Sequence, residues 1–402
     1  MNAPSAICHL PSAPRILIRG TNWLGDAVMA TPALLRLREK FPAAHIALLT
    51  PEKLRELWLN HPAVNETISF APGENIFAVA KKLRRWGERP RELHPQPDAS
   101  SPARGDARPT KFDLALVLPN SPRAALEVFL AGIPQRIGYA RPWRNIFLTQ
   151  TIAPRADAVK MRKRSIGEIR ELIAGESKIK NQKSKIDPSA HQIFEYLNLA
   201  TALGANPEPL PPQLFVTPEE IEAAKKTFGL DKITQPVFGL NPGAEYGPAK
   251  RWPVEKFIAA AKEVQQRTNC VWILFGGKGD FQLCKRIESE TQNLKFKIKN
   301  LAGQTSLREL MSLLKLCRVL LTNDTGPMHV AAALGTPVVV PFGSTSPELT
   351  GPGLPGDARN FLIKSDAPCS PCFLRECPID FRCMNGISVE RVAQAVVESL
   401  NR

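Results

Sequence analysis

Short apolar runs alternate with amphipathic segments along both halves of this 402-residue chain, and that alternation limits the folds open to it. Strand, loop and helix recurring in that order predict a parallel sheet, because each crossover between parallel strands is usually a helix. The chain is therefore predicted to be α/β. The predicted strands are residues 15–19, 45–50, 66–70 and 112–118, then 237–240, 271–275, 319–322 and 337–340. The predicted helices of the second half are residues 254–267, 280–291, 306–316 and 327–334.

A proline-rich segment separates the two halves. Residues 206–212 contain four prolines, which is typical of a linker. We expect two successive Rossmann-like domains, each with a parallel sheet, and a ligand cleft between them. The expected segments are a flexible tail (1–13), an N-terminal domain (14–205) with insertions at about 84–110 and 177–188, a linker (206–232), a C-terminal domain (233–388) and a C-terminal helix (389–402).

The net charge of +15 is concentrated in the first half. Residues 81–111 contribute +5 and residues 160–185 contribute +6. Such segments favour anionic partners, among them nucleic acid, acidic lipid and phosphorylated glycan, although two solvated insertions would have the same composition. We expect no nucleic-acid partner, because the chain has no recognisable recognition module and its basic segments lack interleaved aromatic residues.

The N-terminal residues and the cysteines indicate a compartment. Residues 1–14 have neither the cationic start nor the apolar core of a secretory signal, so we expect a cytoplasmic protein. Cys369, Cys372, Cys377 and Cys383 are close enough in sequence to surround a tetrahedral Zn²⁺. Their spacing is not that of a standard zinc ribbon, and reduced structural thiols are the favoured interpretation. We therefore expect no metal site.

Two adjacent cations follow the strand predicted at 237–240. Lys250 and Arg251 lie on the loop before a helix that Pro253 is predicted to open. Cations beside the positive end of a helix are typical of a phosphate site in a parallel α/β sheet. The alternative is a solvated basic loop.

A second strand-to-helix loop reinforces the phosphate interpretation. Asp324 or Thr325 can cap the helix that follows the strand at 319–322, and Gly326 lets a ligand approach the backbone. His329 lies near the same helix end and could donate to a phosphate oxygen. Alternatively, Asp324 is only a cap and His329 is packed inside the helix. Together the two loops predict a diphosphate site.

Other strand ends contribute further candidates. Gly276 lies in a Gly-Gly-Lys-Gly loop after the strand at 271–275, and Thr305 lies on a corresponding edge where it could contact a base or ribose. In the first half, Asp26 follows the strand at 15–19. It is either a general base that deprotonates an acceptor hydroxyl or a helix N-cap.

Several longer motifs resemble those of the bacterial lipopolysaccharide heptosyltransferases, glycosyltransferase family 9. The resemblance extends from about residue 15 to residue 400. It depends on the segment from Gly25 and Asp26 to Ala33, on residues 118–123 and 131–139, on the segment through Lys250 to Pro253, on residues 323–329 and on the tail from Cys372 to Cys383.

This resemblance implies a GT-B fold and transfer of L-glycero-D-manno-heptose from ADP-heptose to the heptose of the lipopolysaccharide inner core. The implied reaction inverts configuration, needs no cofactor or metal, and uses Asp26 as the base and Lys250 to neutralise the leaving diphosphate. The implied partners are ADP-L-glycero-D-manno-heptose, phosphorylated Kdo2-lipid A bearing heptose, and the anionic surface of the inner membrane, on whose cytosolic face the enzyme would be peripheral. The implied donor-binding residues are Asn241, Gly243, Lys250, Gly276, Thr305, Asp324, Thr325, Gly326 and His329, and the acceptor-binding residues are Asn120, Ser121 and Arg123.

Two other functions fit parts of the sequence. A GT-B sugar-nucleotide epimerase would share the diphosphate site and have no lipid acceptor. A nucleic-acid-binding protein would fit the sequence pI of about 9.6 and the cluster of four cysteines, but the chain has no recognisable recognition module.

Overall fold

A computed structural model describes residues 10–87, 112–175, 186–291 and 297–401. Within these ranges the chain forms the strands and helices expected of an α/β protein. The strands are β1 Arg15–Arg19, β2 His45–Pro51, β3 Glu66–Phe70, β4 Leu114–Val117, β5 Gln135–Tyr139, β6 Gln150–Ile152, β7 Val237–Asn241, β8 Val271–Leu274, β9 Ile298–Asn300, β10 Leu320–Thr322, β11 Val338–Phe342 and β12 Phe361–Lys364. The helices are α1 Leu24–Met29, α2 Thr31–Lys40, α3 Ile76–Gly87, α4 Pro122–Leu130, α5 Ile166–Ala174, α6 Gln192–Thr201, α7 Pro218–Thr227, α8 Val254–Thr268, α9 Phe281–Thr291, α10 Leu307–Leu316, α11 Gly326–Ala333, α12 Pro347–Thr350, α13 Arg382–Asn385 and α14 Val389–Glu398.

The strands form two six-stranded sheets in which every pairing is parallel. The orders are β3-β2-β1-β4-β5-β6 and β9-β8-β7-β10-β11-β12, so the two sheets have the same doubly wound topology. Strands β1, β7 and β11 are buried along their whole length, as expected of parallel strands covered by helices on both faces. The predicted α/β class with Rossmann-like sheets is confirmed.

Contacts divide the chain into two compact units, each made of segments that are separate in sequence. The first unit contains residues 1–22, 33–155 and 195–208, and the second contains residues 23–32, 156–194 and 209–402. The core of the first unit includes Leu17, Leu49 and Val117, and that of the second includes Phe238, Trp272 and Val339. Helix α1, which follows β1 in sequence, therefore packs with the second unit.

Local details differ from the sequence-based expectations. Residues 84–87, at the start of the insertion expected at about 84–110, are the last residues of α3. The remainder of the insertion expected at 84–110, residues 177–185 and the first part of the expected tail lie outside the described residues. Pro253 is the N-cap of α8 and not its first helical residue. None of the described helices combines the length and the apolar character needed to cross a membrane.

Candidate active site

The second sheet has its topological switch point between β7 and β10, whose last residues are Asn241 and Thr322. In doubly wound sheets, ligands bind beyond the carboxyl ends of the strands at this point. The side chain of Asn241, expected to contact the donor, is buried and donates from Nδ2 to Thr322 Oγ1 at 3.0 Å. Asn241 thus joins the two strands beneath the candidate site.

A buried ion pair lies at this switch point. Lys250 Nζ is 2.6 Å from Asp324 Oδ2, and the two side chains are 14% and 4% exposed. Thr345, on the loop after β11, donates its hydroxyl to the same Oδ2 at 2.5 Å. The structure therefore brings together the cation and the carboxylate that sequence analysis placed on separate loops, and it adds a hydroxyl that sequence analysis missed. The Gly-Ser-Thr-Ser run after β11 was the available signal, because its strand ends at the same sheet edge.

The segment that contains the cysteines packs behind the Lys250 loop. The Nζ of Lys250 lies 5.0 Å from the ring centroid of Tyr246, and the guanidinium of Arg375 lies 5.2 Å from the same centroid. Tyr246 donates its hydroxyl to Phe373 O at 2.9 Å, and the N–H of Ala249 donates to Arg375 O at 2.9 Å. These contacts fix the path of the loop and hence the position of the Lys250 ammonium.

Asn323 holds the same loop from the side of β10. Its Oδ1 accepts from the N–H of Trp252 at 2.9 Å, and its Nδ2 donates to Pro242 O at 2.7 Å. Trp252 is buried and packs edge-on against Phe257 at 5.2 Å between ring centroids, so its role in this structure is that of scaffold. No role for Asn323 could be predicted, because nothing in the sequence showed that its amide would reach the other loop.

The amino end of α11 begins directly after this ion pair. Thr325 occupies the N-cap position but makes no side-chain cap hydrogen bond. Asp324, the other expected cap, directs its carboxylate to Lys250 and Thr345. The first N–H groups of a helix usually have no partner within the helix. In α11, Pro327 has no N–H and the N–H of Met328 donates to Thr325 O at 3.1 Å, so Gly326 is the residue of this first turn that offers a backbone donor for an anion.

His329 lies within α11 and is only 5% exposed. Burial lowers the pKa of its imidazole to about 4 against the opposing influence of Asp324, and His191 and Lys250 each lower it by a smaller amount. Burial also lowers the pKa of His191 to about 4, and the Nε2 of that ring lies 3.0 Å from Gly351 O. Both histidines are therefore neutral near pH 7. A neutral His329 can still donate one N–H to a phosphate oxygen.

Asp26 lies in the first turn of α1, which packs on α11 through two glycines. Trp23 is the N-cap of α1, so the alternative that Asp26 is an N-cap is wrong. A Cβ on Gly25 would lie 2.8 Å from His329 Cδ2, and one on Gly326 would lie 2.8 Å from Leu24 Cδ2. The helix that carries Asp26 is thereby held against the helix that begins beside Asp324.

The loop after β8 contacts the Lys250 loop. The Asp280 carboxylate accepts from the N–H of Gly277 at 3.1 Å and lies 3.6 Å from Arg251 Nη2. A Cβ on Gly243 would lie 2.4 Å from that carboxylate, so a side chain there would force Asp280 to move. The N–H of Gly303 donates to Gly276 O at 2.8 Å, which brings the segment that contains Thr305 to the loop of Gly276.

The predicted acceptor-binding residues lie at the corresponding switch point of the first sheet, after β4. Ser121 is the N-cap of α4 and accepts from the N–H of Ala124 at 3.3 Å. Arg123 donates to Glu127 at 2.9 Å, and Asn120 Oδ1 lies 3.4 Å from Arg144 Nη1. Each of the three side chains thus has a structural contact at the end of the strand.

Buried charged side chains lie near this switch point of the first sheet, and sequence analysis did not predict them. Glu127 is fully buried and accepts from Arg19 Nε at 2.8 Å, while burial lowers the pKa of Arg19 against the opposing influence of Glu127. Arg144 is also fully buried, and its pKa is lowered to about 10, chiefly by burial. Its Nη1 donates to Pro119 O at 2.7 Å, whereas within the described residues its Nε and Nη2 have no hydrogen-bond partner.

The four clustered cysteines have free thiols. Cys369, Cys372 and Cys383 are buried, and Cys377 accepts from the N–H of Phe381 at 3.3 Å. Burial raises the pKa of Cys383 to about 12, and the other three thiols add to that rise. Across the described chain, no three His, Cys, Asp or Glu side chains are arranged to hold a metal ion.

Comparison with known proteins identifies relatives of this chain. The family model for glycosyltransferase family 9 (heptosyltransferase) matches residues 160–381. Lipopolysaccharide heptosyltransferase 2 of Escherichia coli K12 is 32% identical over 351 residues, which cover 84% of this chain and 85% of that protein. Lipooligosaccharide heptosyltransferase 2 of Campylobacter jejuni serotype O:6 is 30% identical over 389 residues, which cover 95% and 98%.

A solved structure leads to the same family. The E. coli ADP-heptose lipopolysaccharide heptosyltransferase II aligns with a TM-score of 0.70 at 27% identity, covering 96% of this chain and 98% of that one. This likeness confirms the expected GT-B class. Because the family model matches more than half of the chain, and because relatives at or above 30% identity are aligned over most of their length, the chain belongs to glycosyltransferase family 9, the heptosyltransferases.

Proposed function

We propose that this protein is heptosyltransferase II: it transfers L-glycero-D-manno-heptose from ADP-heptose to the heptose of the lipopolysaccharide inner core. The observation that carries the proposal is the Lys250–Asp324 pair at the switch point of the second sheet, beside the amino end of α11. The most similar relatives named above are heptosyltransferases 2, and the solved relative is named for ADP-heptose.

The leaving group determines what the second unit has to do. When the bond between the heptose C1 and the diphosphate oxygen breaks, negative charge grows on the ADP. An ammonium and helix N–H donors stabilise charge where it develops, and they do so without a divalent ion. We assign Lys250 to that charge, and we assign Thr325, Gly326 and His329 to the phosphates and the sugar.

The acceptor must lose a proton as it attacks. We assign Asp26 as the base that takes the proton from the acceptor hydroxyl, in a single displacement that inverts the configuration at C1. Support comes from the packing of α1, which holds Asp26 on the element that adjoins α11. Asn120, Ser121 and Arg123 are assigned to the acceptor, with the phosphorylated sugars of Kdo2-lipid A as their ligand.

The experiment is a mass measurement on three acceptors. Purified protein and ADP-heptose are incubated with bare Kdo2-lipid A, with the same lipid bearing one heptose, and with the lipid bearing two. A gain of one heptose by the second acceptor alone is expected. A gain by the first or third would instead assign the protein as heptosyltransferase I or III. Consumption of donor with no acceptor product would favour the epimerase alternative.

Metal independence has its own measurement. Initial rates are compared with and without a chelator, after the protein has been dialysed against the chelator. Equal rates are expected, because Lys250 and the helix N–H groups take the place of a cation. A rate that falls and is restored by added Mg²⁺ would contradict this part of the proposal.

A further inference from the structure

One turn of the first unit exposes two large apolar side chains that are three positions apart in sequence. Trp143 is 86% exposed and Ile146 is 77% exposed. They belong to residues 141–147, here called the apolar turn. Single exposed apolar residues are common in soluble proteins and need no explanation. Among the described residues, however, these are two of the most exposed large apolar side chains, and they lie within four residues of each other.

The apolar turn is rigidly held. The N–H of Arg141 donates to Asn145 Oδ1 at 2.9 Å, and the N–H of Phe147 donates to Arg144 O at 3.0 Å. Arg144 anchors the turn, because its side chain is fully buried and bonds to Pro119 O. Trp143 has a φ of 63°, a conformation that is costly for a bulky residue. The fold therefore holds the backbone of Trp143 in this conformation at an energetic cost and leaves its indole in solvent.

Cations and further aromatic surface lie beside the turn. Phe129 is 43% exposed and its ring centroid lies 5.5 Å from that of Phe147. The Arg136 guanidinium lies 5.3 Å from the Phe129 ring and donates to Phe147 O at 2.7 Å. In sequence, residues 128–156 contain four arginines and no acidic residue. Arg144 is buried in the turn, and the other three arginines make the segment around the turn basic.

This combination fits one kind of partner. Tryptophan and aliphatic tips with nearby arginines suit the interface of an anionic bilayer, where the apolar tips enter the acyl boundary and the cations remain at the headgroups. A second protein copy is a poorer fit. Two side chains offer roughly 400 Å² at most, about half of what each partner of a stable dimer buries.

We propose that the apolar turn is a membrane-docking element that inserts Trp143 and Ile146 into an anionic lipid surface. The inference extends the proposed function, because an enzyme acting on a glycolipid must work where that lipid lies. The inference assigns the membrane contact to Trp143 and Ile146. The overall basic charge of the chain does not identify any particular contact residue.

The test measures binding to vesicles of phosphatidylglycerol and phosphatidylethanolamine by co-sedimentation. The variant Trp143→Ser with Ile146→Ser is compared with wild type. Phe77→Ser is the matched control, since Phe77 is 74% exposed on α3 of the same unit. We expect the double variant to bind about tenfold more weakly or worse. Phe77→Ser should stay within about twofold of wild type, because its ring has no place in the docking surface. The single variant Trp143→Phe should keep most of the binding.

Three results would overturn the proposal. The first is a double variant that binds vesicles as tightly as wild type. The second is a Phe77→Ser variant that loses as much vesicle affinity as the double variant. The third is a wild-type dimer that dissociates in the double variant while vesicle binding is unchanged. Vesicle binding needs no heptose transfer, so the two proposals fail separately. A protein that binds vesicles but transfers no heptose contradicts the proposed function alone. With a deacylated, water-soluble acceptor, the double variant should retain the wild-type kcat.

Discussion

Lys250 bonds to Asp324 in this structure, and that pairing defines how the residue can act. An ammonium has three N–H donors, so Lys250 can keep its bond to Asp324 and still donate to a phosphate. The hydroxyl of Thr345 shares the same carboxylate oxygen and so fixes the geometry of the pair. Sequence analysis identified Lys250 and Asp324 separately, but it could not show that one neutralises the other, because loops 74 residues apart have no local signal of contact.

Replacing Lys250 with alanine should weaken both ADP binding and turnover. The substitution removes the charge opposite the leaving diphosphate and leaves Asp324 as a buried, unpaired carboxylate. We expect kcat to fall by about 10²–10³-fold, as for other electrostatic contacts to a transition state. Calorimetry with ADP and initial rates with ADP-heptose measure the two effects. Lys225→Ala, on a surface helix, is the matched control, and unchanged kinetics for Lys250→Ala would contradict the assignment.

Replacing Asp26 with asparagine should separate catalysis from donor binding. The amide keeps the size of the side chain but cannot accept the acceptor's proton, so a loss in kcat of about 10²–10⁴-fold is expected. ADP affinity should stay close to that of wild type. Glu52→Gln, another carboxylate of the first half, serves as the control. Normal turnover in Asp26→Asn would show that another group is the base.

At the scale of elements, the crossing of α1 and α11 is the feature that sequence analysis could not supply. The helices α8 to α11 were predicted within a residue of their ends, because amphipathic spacing is a local property, whereas the four-residue helices α12 and α13 were not predicted. The packing partner of a short helix is not local. The glycines at 25 and 326 are compatible with many roles in the sequence, and only the structure shows that each meets a side chain of the other helix.

Gly25→Ala tests that crossing. Alanine in a helix normally gains up to about 1 kcal/mol over glycine. Here the new Cβ would meet the buried His329 ring at 2.8 Å, and overpacking of this kind costs about 1–3 kcal/mol. We expect a lower thermal midpoint. Gly279→Ala is the control, since a Cβ there has no neighbour within 4 Å. Equal thermal midpoints for the two variants would mean that α1 and α11 can move apart at little cost.

The two buried histidines should make the second unit less stable in acid. Folding lowers the pKa of His191 and His329 from 6.5 to about 4, so the unfolded chain binds more protons as the pH falls below about 6.5. Stability should therefore fall between pH 6.5 and pH 4, by about 3 kcal/mol for one histidine taken singly. Thermal midpoints at pH 7 and pH 5 measure this. His191→Gln should show a smaller drop, and an equal drop would assign the effect to other groups.

For the whole molecule, the α/β class was predictable because the central strands of both sheets, β1 and β7 among them, are short and fully buried. Edge strands such as β6 and β9 were missed, since they have three residues each and are only partly buried. The assignment of α1 to the second unit was missed for another reason. Chain order places it after β1, and only tertiary contacts place it elsewhere.

The net charge of +15 leads to a prediction about salt. Raising the ionic strength from about 0.01 M to about 0.15 M shortens the Debye length from about 30 Å to about 8 Å. Exposed cations lose their attraction for an anionic bilayer over that range, whereas a largely buried cation such as Lys250 is screened less. Vesicle binding should therefore weaken more than ADP binding. Measuring both across the same salt series checks this, and parallel curves would argue against it.

The second unit cannot be isolated by cutting the chain at its proline-rich linker. A fragment that starts at Pro209 would keep all six strands of the second sheet, but it would lack residues 23–32 and 156–194. It would lose α1, and with it the partner of Gly326 and the helix that carries Asp26. His191 would be lost as well. A fragment made to measure nucleotide binding by the second unit alone should therefore retain these earlier segments, for example in a circularly permuted chain.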